Sequence, residues 1–291
     1  MAIHELNNNP TLAGQVRLIE NVVYGAADGE AQRMSLLTPW AQRYQAAQLP
    51  ARPLIVFVQG SSWCLPTLGE EIPQLVQFVH QGYVVATVQH RNSLDGHAFP
   101  AFLTDVKAAI RYLRAHATEY AIDPARVSVW GTSSGANAAM LVGLTGDDPK
   151  YKTAADAGQS DAVNAVVACF GPTDVVATFE HSQTVPGSDV LQYSLFGTDR
   201  TKWDQLKREM SPLYQIKEGK SYPPFLLLHG DADQIVPYQQ MEQMYDALLA
   251  HHVQVDGVRV HGANHERDFW SQAIYDYVAN FLKPINQPVA D

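Results

Sequence analysis

Uninterrupted apolar runs punctuate this chain: Leu54-Ile55-Val56-Phe57-Val58, Tyr83-Val84-Val85-Ala86-Thr87-Val88, Val127-Ser128-Val129-Trp130, Ala165-Val166-Val167-Ala168-Cys169-Phe170 and Phe225-Leu226-Leu227-Leu228-His229. Runs this short, with no alternating polar face, predict strands covered on both sides, as in a parallel sheet between helical layers. The segments between them carry helical period. Residues 72–81 form one such stretch, and in a longer one Val106, Ile110, Leu113 and Ala117 recur at spacings of four, three and four, which lines them up along one helix face. Residues 16–24 and 33–37 predict an opening antiparallel pair joined by a turn at 25–30. An eighth strand is expected over 253–260 and a last helix over 267–282, with Pro284 opening a loose tail. Asp123-Pro124 reads as the turn between the long helix and the next strand. The expected fold is α/β: one domain over residues 1–291, built on an eight-stranded, mostly parallel sheet with helices on both faces.

One turn in this pattern carries chemistry. Gly131-Thr132-Ser133-Ser134-Gly135 follows the strand ending at Trp130 and opens the small-residue segment Ala136-Asn137-Ala138-Ala139. Glycines flanking a strand-to-helix turn let the two elements cross closely, leaving Ser133 exposed at a helix N-terminus in a strained conformation. A bare pentapeptide of this kind also occurs as a plain glycine-rich turn, so its neighbours decide. Two of them fit: His229-Gly230-Asp231-Ala232-Asp233 follows the seventh strand and Asn264-His265-Glu266 the eighth. All three sites fall at carboxyl ends of strands, where open α/β sheets bind ligands, and the order is Ser, Asp, His.

A serine hydroxyl is a weak nucleophile at neutral pH and needs a base. His265 is the expected base and Asp233 the carboxylate that fixes its tautomer. Asp231 competes for that role, although it could equally cap its turn. The expected oxyanion donors are the backbone N–H of Ser134 and an amide of Gly60 or Ser61 in the loop Gln59-Gly60-Ser61-Ser62-Trp63, with Gly60 permitting unusual backbone geometry. Trp63 is a candidate pocket wall. Cys64 has no base predicted beside it. His229 reads as a hydrogen-bonded core residue, and His251-His252 as the end of a helix. His261 and His265 share a metal-like spacing but flank a glycine turn without a paired Glu, so no metal and no cofactor are expected.

Composition narrows the partners. Twenty basic against 30 acidic residues give a net charge of −10, with no basic block, which disfavours nucleic acid and anionic membranes. No apolar stretch approaches the roughly 18 residues of a membrane span, and the N-terminus lacks a signal-peptide pattern, so a cytoplasmic location is expected, with Cys64 and Cys169 as free thiols. About fifty residues, 174–222, separate the sixth and seventh strands with little periodicity; an excursion this long predicts a small cap or lid. Its aromatic part, 193–214, would equally suit the interface of a homo-oligomer.

Taken together, the loop ending in Trp63, Arg91-Asn92-Ser93, Phe99-Pro100-Ala101-Phe102, Asp105-Val106, Ile122-Asp123-Pro124-Ala125-Arg126, the serine turn, Gly171-Pro172-Thr173-Asp174, Ser211-Pro212 and the Asp233 and His265 loops resemble the α/β-hydrolases, and within them the bacterial feruloyl/acetylxylan esterases and related carboxylesterases. The resemblance covers most of the chain. It implies a carboxylesterase acting on small-molecule esters, carbohydrate acetyl or feruloyl esters among them, through Ser133, His265 and Asp233 and an acyl-enzyme. The chain departs from it at Gln59-Gly60-Ser61, where relatives usually carry His-Gly-Gly; this favours short acyl groups, acetyl to butyryl. Two alternatives stand beside it: a small peptidase or amidase of the prolyl oligopeptidase type, which uses the same triad order, and a non-catalytic ligand receptor on the same fold, in which the histidine is usually lost.

Overall fold

The computed structural model describes residues 3–40, 49–181 and 187–287. Eight strands form one sheet in the order β1-β2-β4-β3-β5-β6-β7-β8. The hairpin β1 (Val16–Ala27) and β2 (Glu30–Pro39) is antiparallel, and β2 runs antiparallel to β4 (Val84–Val88). From β4 onward, through β3 (Arg52–Val58), β5 (Ile122–Thr132), β6 (Ala165–Cys169), β7 (Phe225–Gly230) and β8 (Val255–Val260), every pairing is parallel. The apolar runs are the central strands, and every residue of β3, β4, β6 and β7 is buried.

Helices cover the two faces because the chain reverses its direction of travel across the sheet. It passes from β3 outward to β4 through α1 (Ile72–His80), then back across to β5 through α2 (Ala101–Ala115). Leu75, Phe78 and Val79 of α1 pack into the core beside Val278, Phe281 and Leu282 of α8 (Gln272–Asn286). The α2 stripe Val106, Ile110 and Leu113 fills the other core, with α3 (Ser134–Leu144) and Met244 and Leu248 of α7 (Gln239–Ala250). At such a switch point the loops after adjacent strands splay apart and leave a crevice. Here those loops are the one after β3 and the serine turn after β5.

Several sequence-based boundaries move. The opening hairpin turns on Asp28 and Gly29 alone, both at positive φ (54° and 84°), so its strands are longer than expected. Asp123-Pro124 lies inside β5, beside the register shift between Arg52 and Leu54, rather than in a free turn; the Asp123 carboxylate accepts from Ala125 N–H and Arg126. Helix α2 stops before Ala117, which stays buried in the following turn. The last helix starts later than expected, after a 3-10 turn at Arg267–Phe269, and Pro284 sits within it, so the tail is helical to Asn286. In a last helical turn a proline gives up only one N–H bond, which is why it does not end the helix there. Residues 288–291 of the predicted tail, and Met1 and Ala2, lie outside the described residues.

The 174–222 excursion holds three helices, α4 (Val175–His181), α5 (Ser188–Phe196) and α6 (Trp203–Met210), with residues 182–186 outside the described residues. Its root is fastened to α7. Buried Gln240 accepts from Thr173 N–H and Asp174 N–H at 2.9 and 3.0 Å through its side chain, and donates to Thr178 Oγ1 at 2.9 Å. Its backbone carbonyl takes the Thr173 hydroxyl at 2.8 Å. Among the described residues, no helix is long and apolar enough to cross a membrane.

Candidate active site

Ser133 joins β5 to α3 at φ 50° and ψ −123°, outside the regions an L-residue normally favours. Close packing enforces this. A Cβ on Gly131 would lie 2.1 Å from the Gly135 carbonyl oxygen, and one on Gly135 only 2.0 Å from that of Val58. The turn glycines are therefore required by strand–helix contact, and neither has positive φ. The strain, of order 1–3 kcal/mol for such a residue, is offset by the surrounding bonds: Ser133 N–H donates to Cys169 O at 3.0 Å, while Ser133 O accepts from Ala136 and Asn137.

The three side chains singled out in the sequence meet here. His265 Nε2 is 2.9 Å from Ser133 Oγ, and His265 Nδ1 is 2.8 Å from Asp233 Oδ2. The Asp233 carboxylate is wholly buried; its Oδ1 accepts from Ile235 N–H and Val236 N–H at 2.8 and 2.9 Å. The fourth donor is His229, a residue the sequence marks only as core: its Nε2 lies 3.1 Å from Asp233 Oδ2 and 2.9 Å from Val236 O. Two acceptors around one nitrogen place the proton on His229 Nε2. Burial pushes the Asp233 carboxyl up, but the bonds from His229, His265 and Val236 N–H outweigh it and hold it well below the usual carboxylate range. The imidazole of His265 packs edge-on against Phe170, centroids 4.9 Å apart.

Asp231 serves elsewhere. It accepts from Gly262 N–H at 2.6 Å, Arg259 Nε at 2.8 Å and His261 Nδ1 at 3.0 Å, tying the loop after β7 to the end of β8. The competition between the two carboxylates is thus decided by geometry, since only Asp233 reaches His265. His251 Nδ1 bonds Ala247 O at the end of α7, in line with the sequence reading. Burial raises the Cys64 thiol above its ordinary value and pushes Cys169 up to about 12, so neither is thiolate-like at neutral pH.

The loop after β3 differs most from expectation. Gly60 does not adopt positive φ; Ser62 and Trp63 do, at 53° and 58°. Gly60 is small for a different reason, because a Cβ there would stand 2.8 Å from Cβ of Ser133. Both amides expected to face an oxyanion are engaged by the serine turn itself: Gly60 N–H donates to Thr132 Oγ1 at 2.8 Å and Ser61 N–H to Ser134 Oγ at 2.9 Å. The Ser61 hydroxyl donates to Cys64 O at 2.7 Å. Ser134 N–H, at the first position of α3, has no intrahelical acceptor.

Beside Ser133 lies a cavity of about 280 Å³, walled by Trp63, Pro172, Phe179, Leu191, Ile235 and Val236. Trp63 is buried, its indole N–H 3.2 Å from Asn137 Oδ1. Phe179 and Leu191 come from the 174–222 excursion, whose weak periodicity gave no signal that could single them out. A larger open groove of about 530 Å³ between α7 and β8 touches none of these groups.

A sheet of this order with a serine turn after β5, an acid after β7 and a histidine after β8 is that of the α/β-hydrolase esterases. More narrowly, the chain belongs to the BD-FAE family, the bifunctional feruloyl/acetylxylan esterases, whose profile matches residues 44–248. Esterase LipC of Mycobacterium tuberculosis is 30% identical over 251 residues, 85% of this chain and 59% of that protein. The chain spans about half to three-fifths of the length of this and the next curated relatives it matches. A bifunctional GH43-CE protein of Bacteroides eggerthii superposes with a TM-score of 0.77 at 26% identity, covering 92% of this chain and 38% of that one. The butyrate-bound esterase 2 of Thermogutta terrifontis shares the fold, with a TM-score of 0.75, 24% identity and coverage of 94% and 96%.

Proposed function

We propose that the protein is a serine carboxylesterase that hydrolyses short-acyl esters, acetyl to butyryl, of carbohydrates or other small polar alcohols. The observation that carries this is the unbroken chain from Asp233 Oδ2 through His265 to Ser133 Oγ, with contacts of 2.8 and 2.9 Å. Ser133 Oγ attacks the acyl carbon as its proton passes to His265 Nε2. The tetrahedral oxyanion then collapses and expels the alcohol, which leaves with that proton, and an acyl group remains on Ser133. Water, deprotonated by the same imidazole, attacks this acyl-enzyme; collapse releases the acid and restores the serine. Asp233, ionised and solvent-free, holds Nδ1–H and stabilises the transient imidazolium.

The acyl preference rests on cavity size and lining: about 280 Å³ walled by Trp63, Phe179 and Leu191 suits a small apolar group. The carbohydrate alcohol rests on family membership and on the GH43-CE likeness. Purified protein is expected to hydrolyse nitrophenyl acetate and butyrate faster than the decanoate, and acetylated xylo-oligosaccharides measurably. Ser133→Ala should lower kcat by about 10³-fold or more. Rates that climb with acyl length, or an unaffected Ser133→Ala variant, refute the proposal.

A further inference from the structure

We infer that the side-chain hydroxyl of Ser134 is itself an oxyanion donor, a catalytic group additional to its backbone N–H. This rests on the esterase reading above. The loop amides do not face an empty site: Gly60 N–H is held by Thr132 Oγ1, and Ser61 N–H by Ser134 Oγ. The Ser61 hydroxyl is likewise held, by Cys64 O. Ser134 Oγ is therefore an acceptor toward the loop, while its own hydrogen has no acceptor among the described residues. Ser134 is buried yet borders the same cavity as Ser133.

A hydroxyl that accepts one hydrogen bond is a better donor of the next, because each bond polarises its neighbour. Ser61 N–H, Ser134 Oγ–H and the developing oxyanion then form a relay, with the Ser134 N–H as a second contact from the same residue. No covalent step is added. As the carbonyl carbon becomes tetrahedral, its oxygen gains negative charge and receives two hydrogen bonds from one helix N-terminus. A relative with a side chain lacking a hydroxyl at this position would have to leave the loop amide free to do the same work. Ser134 would thus compensate locally for the Gln59-Gly60-Ser61 sequence of the loop.

The test compares Ser134→Ala with Ser134→Thr in the otherwise intact protein, using nitrophenyl acetate and a trifluoromethyl ketone that forms a hemiketal oxyanion on Ser133. Ser134→Ala should lose on the order of 10²-fold in kcat, with KM within about twofold of the parent. Affinity for the ketone should fall by a similar factor while that for the matching secondary alcohol, which forms no oxyanion, stays constant. Ser134→Thr should restore much of both. If the alanine variant does not fold, Ser134→Cys, of similar size but a feeble donor, should show the same selective loss. A Ser134→Ala or Ser134→Cys variant with kcat equal to or above the parent overturns the inference, since the freed Ser61 amide would then be the operative donor. A parent protein that hydrolyses no ester overturns the proposed function instead, so the two failures are distinct.

Discussion

Asp161 and Asp233 are both carboxylates with no solvent exposure, and their surroundings hold them by opposite means. Asp161 lies between two basic side chains of α2, Lys107 Nζ at 2.6 Å and Arg111 at 2.8 Å, with Asp147 N–H at 2.9 Å. Lys107 also donates to Thr145 O, and its ammonium is lowered from its usual value by burial despite the carboxylate beside it. Asp233 has no permanent cation. Two backbone amides and two histidines hold its charge. A carboxylate already neutralised by a lysine or arginine has little field left for a neighbour. One held by dipoles keeps its charge available, and His265 can use it at the moment the ring becomes positive. The first arrangement ties the fold together, and the second is what the proposed proton transfer needs.

The comparison breaks most sharply at Asp233→Asn. The amide keeps the shape of the site but favours the wrong imidazole tautomer, so kcat per folded molecule should fall about 10⁴-fold, with a moderate drop in melting temperature because the charge-assisted bond from His229 is lost too. A small loss of rate would mean that the charge is not used. Asp161→Asn should do the reverse, leaving two buried cations without a counter-charge and destabilising the fold by about 3–5 kcal/mol, while kcat per folded molecule is preserved; denaturant titration with active-site counting separates the two. The smallest effect belongs to His229→Phe, which takes one hydrogen bond to a charged group, worth about 1.5–3 kcal/mol, from Asp233. Because the folded carboxyl lies below its unfolded value, the stability it contributes is complete above roughly pH 4 and drains away as pH falls toward the folded value. Removing His229 raises that folded value, so stability measured between about pH 4 and 2 should vary less steeply in the variant. An identical slope would show that His229 does not act on Asp233.

The central strands were legible because full burial erases polar alternation, and Leu54 through Val58 could hardly be anything else. The convergence of Ser133, Asp233 and His265 was legible because all three lie at strand ends, which the apolar runs marked. What escaped depended on contacts between distant segments. No local pattern reports that Gly60 faces Cβ of Ser133, or that Thr132 and Ser134 bind the neighbouring loop amides. Pro284 misled for the opposite reason: a local rule about helix breaking was overridden where only the last turn was at stake. His229 was correctly read as a bonded core residue, but its partner lay four positions ahead in a loop whose curl the sequence does not specify.

Gln240 on α7 anchors the entry of the 174–222 excursion as Asn137 on α3 anchors its exit at Met210. Its bonds to Thr173, Asp174 and Thr178 clamp the entry of the excursion to a helix that belongs to the sheet scaffold, whereas Phe179 and Leu191 lie beyond that clamp and line the cavity beside Ser133. Exchanging residues 179–209 for those of another protein of this fold therefore leaves both anchors in place, Gln240 at the entry and Asn137 on Met210 O at the exit, and is expected to alter the cavity wall alone. Under the proposed function, substrate range would then be free to diverge in this segment with no revision of Ser133, Asp233 or His265 beneath it.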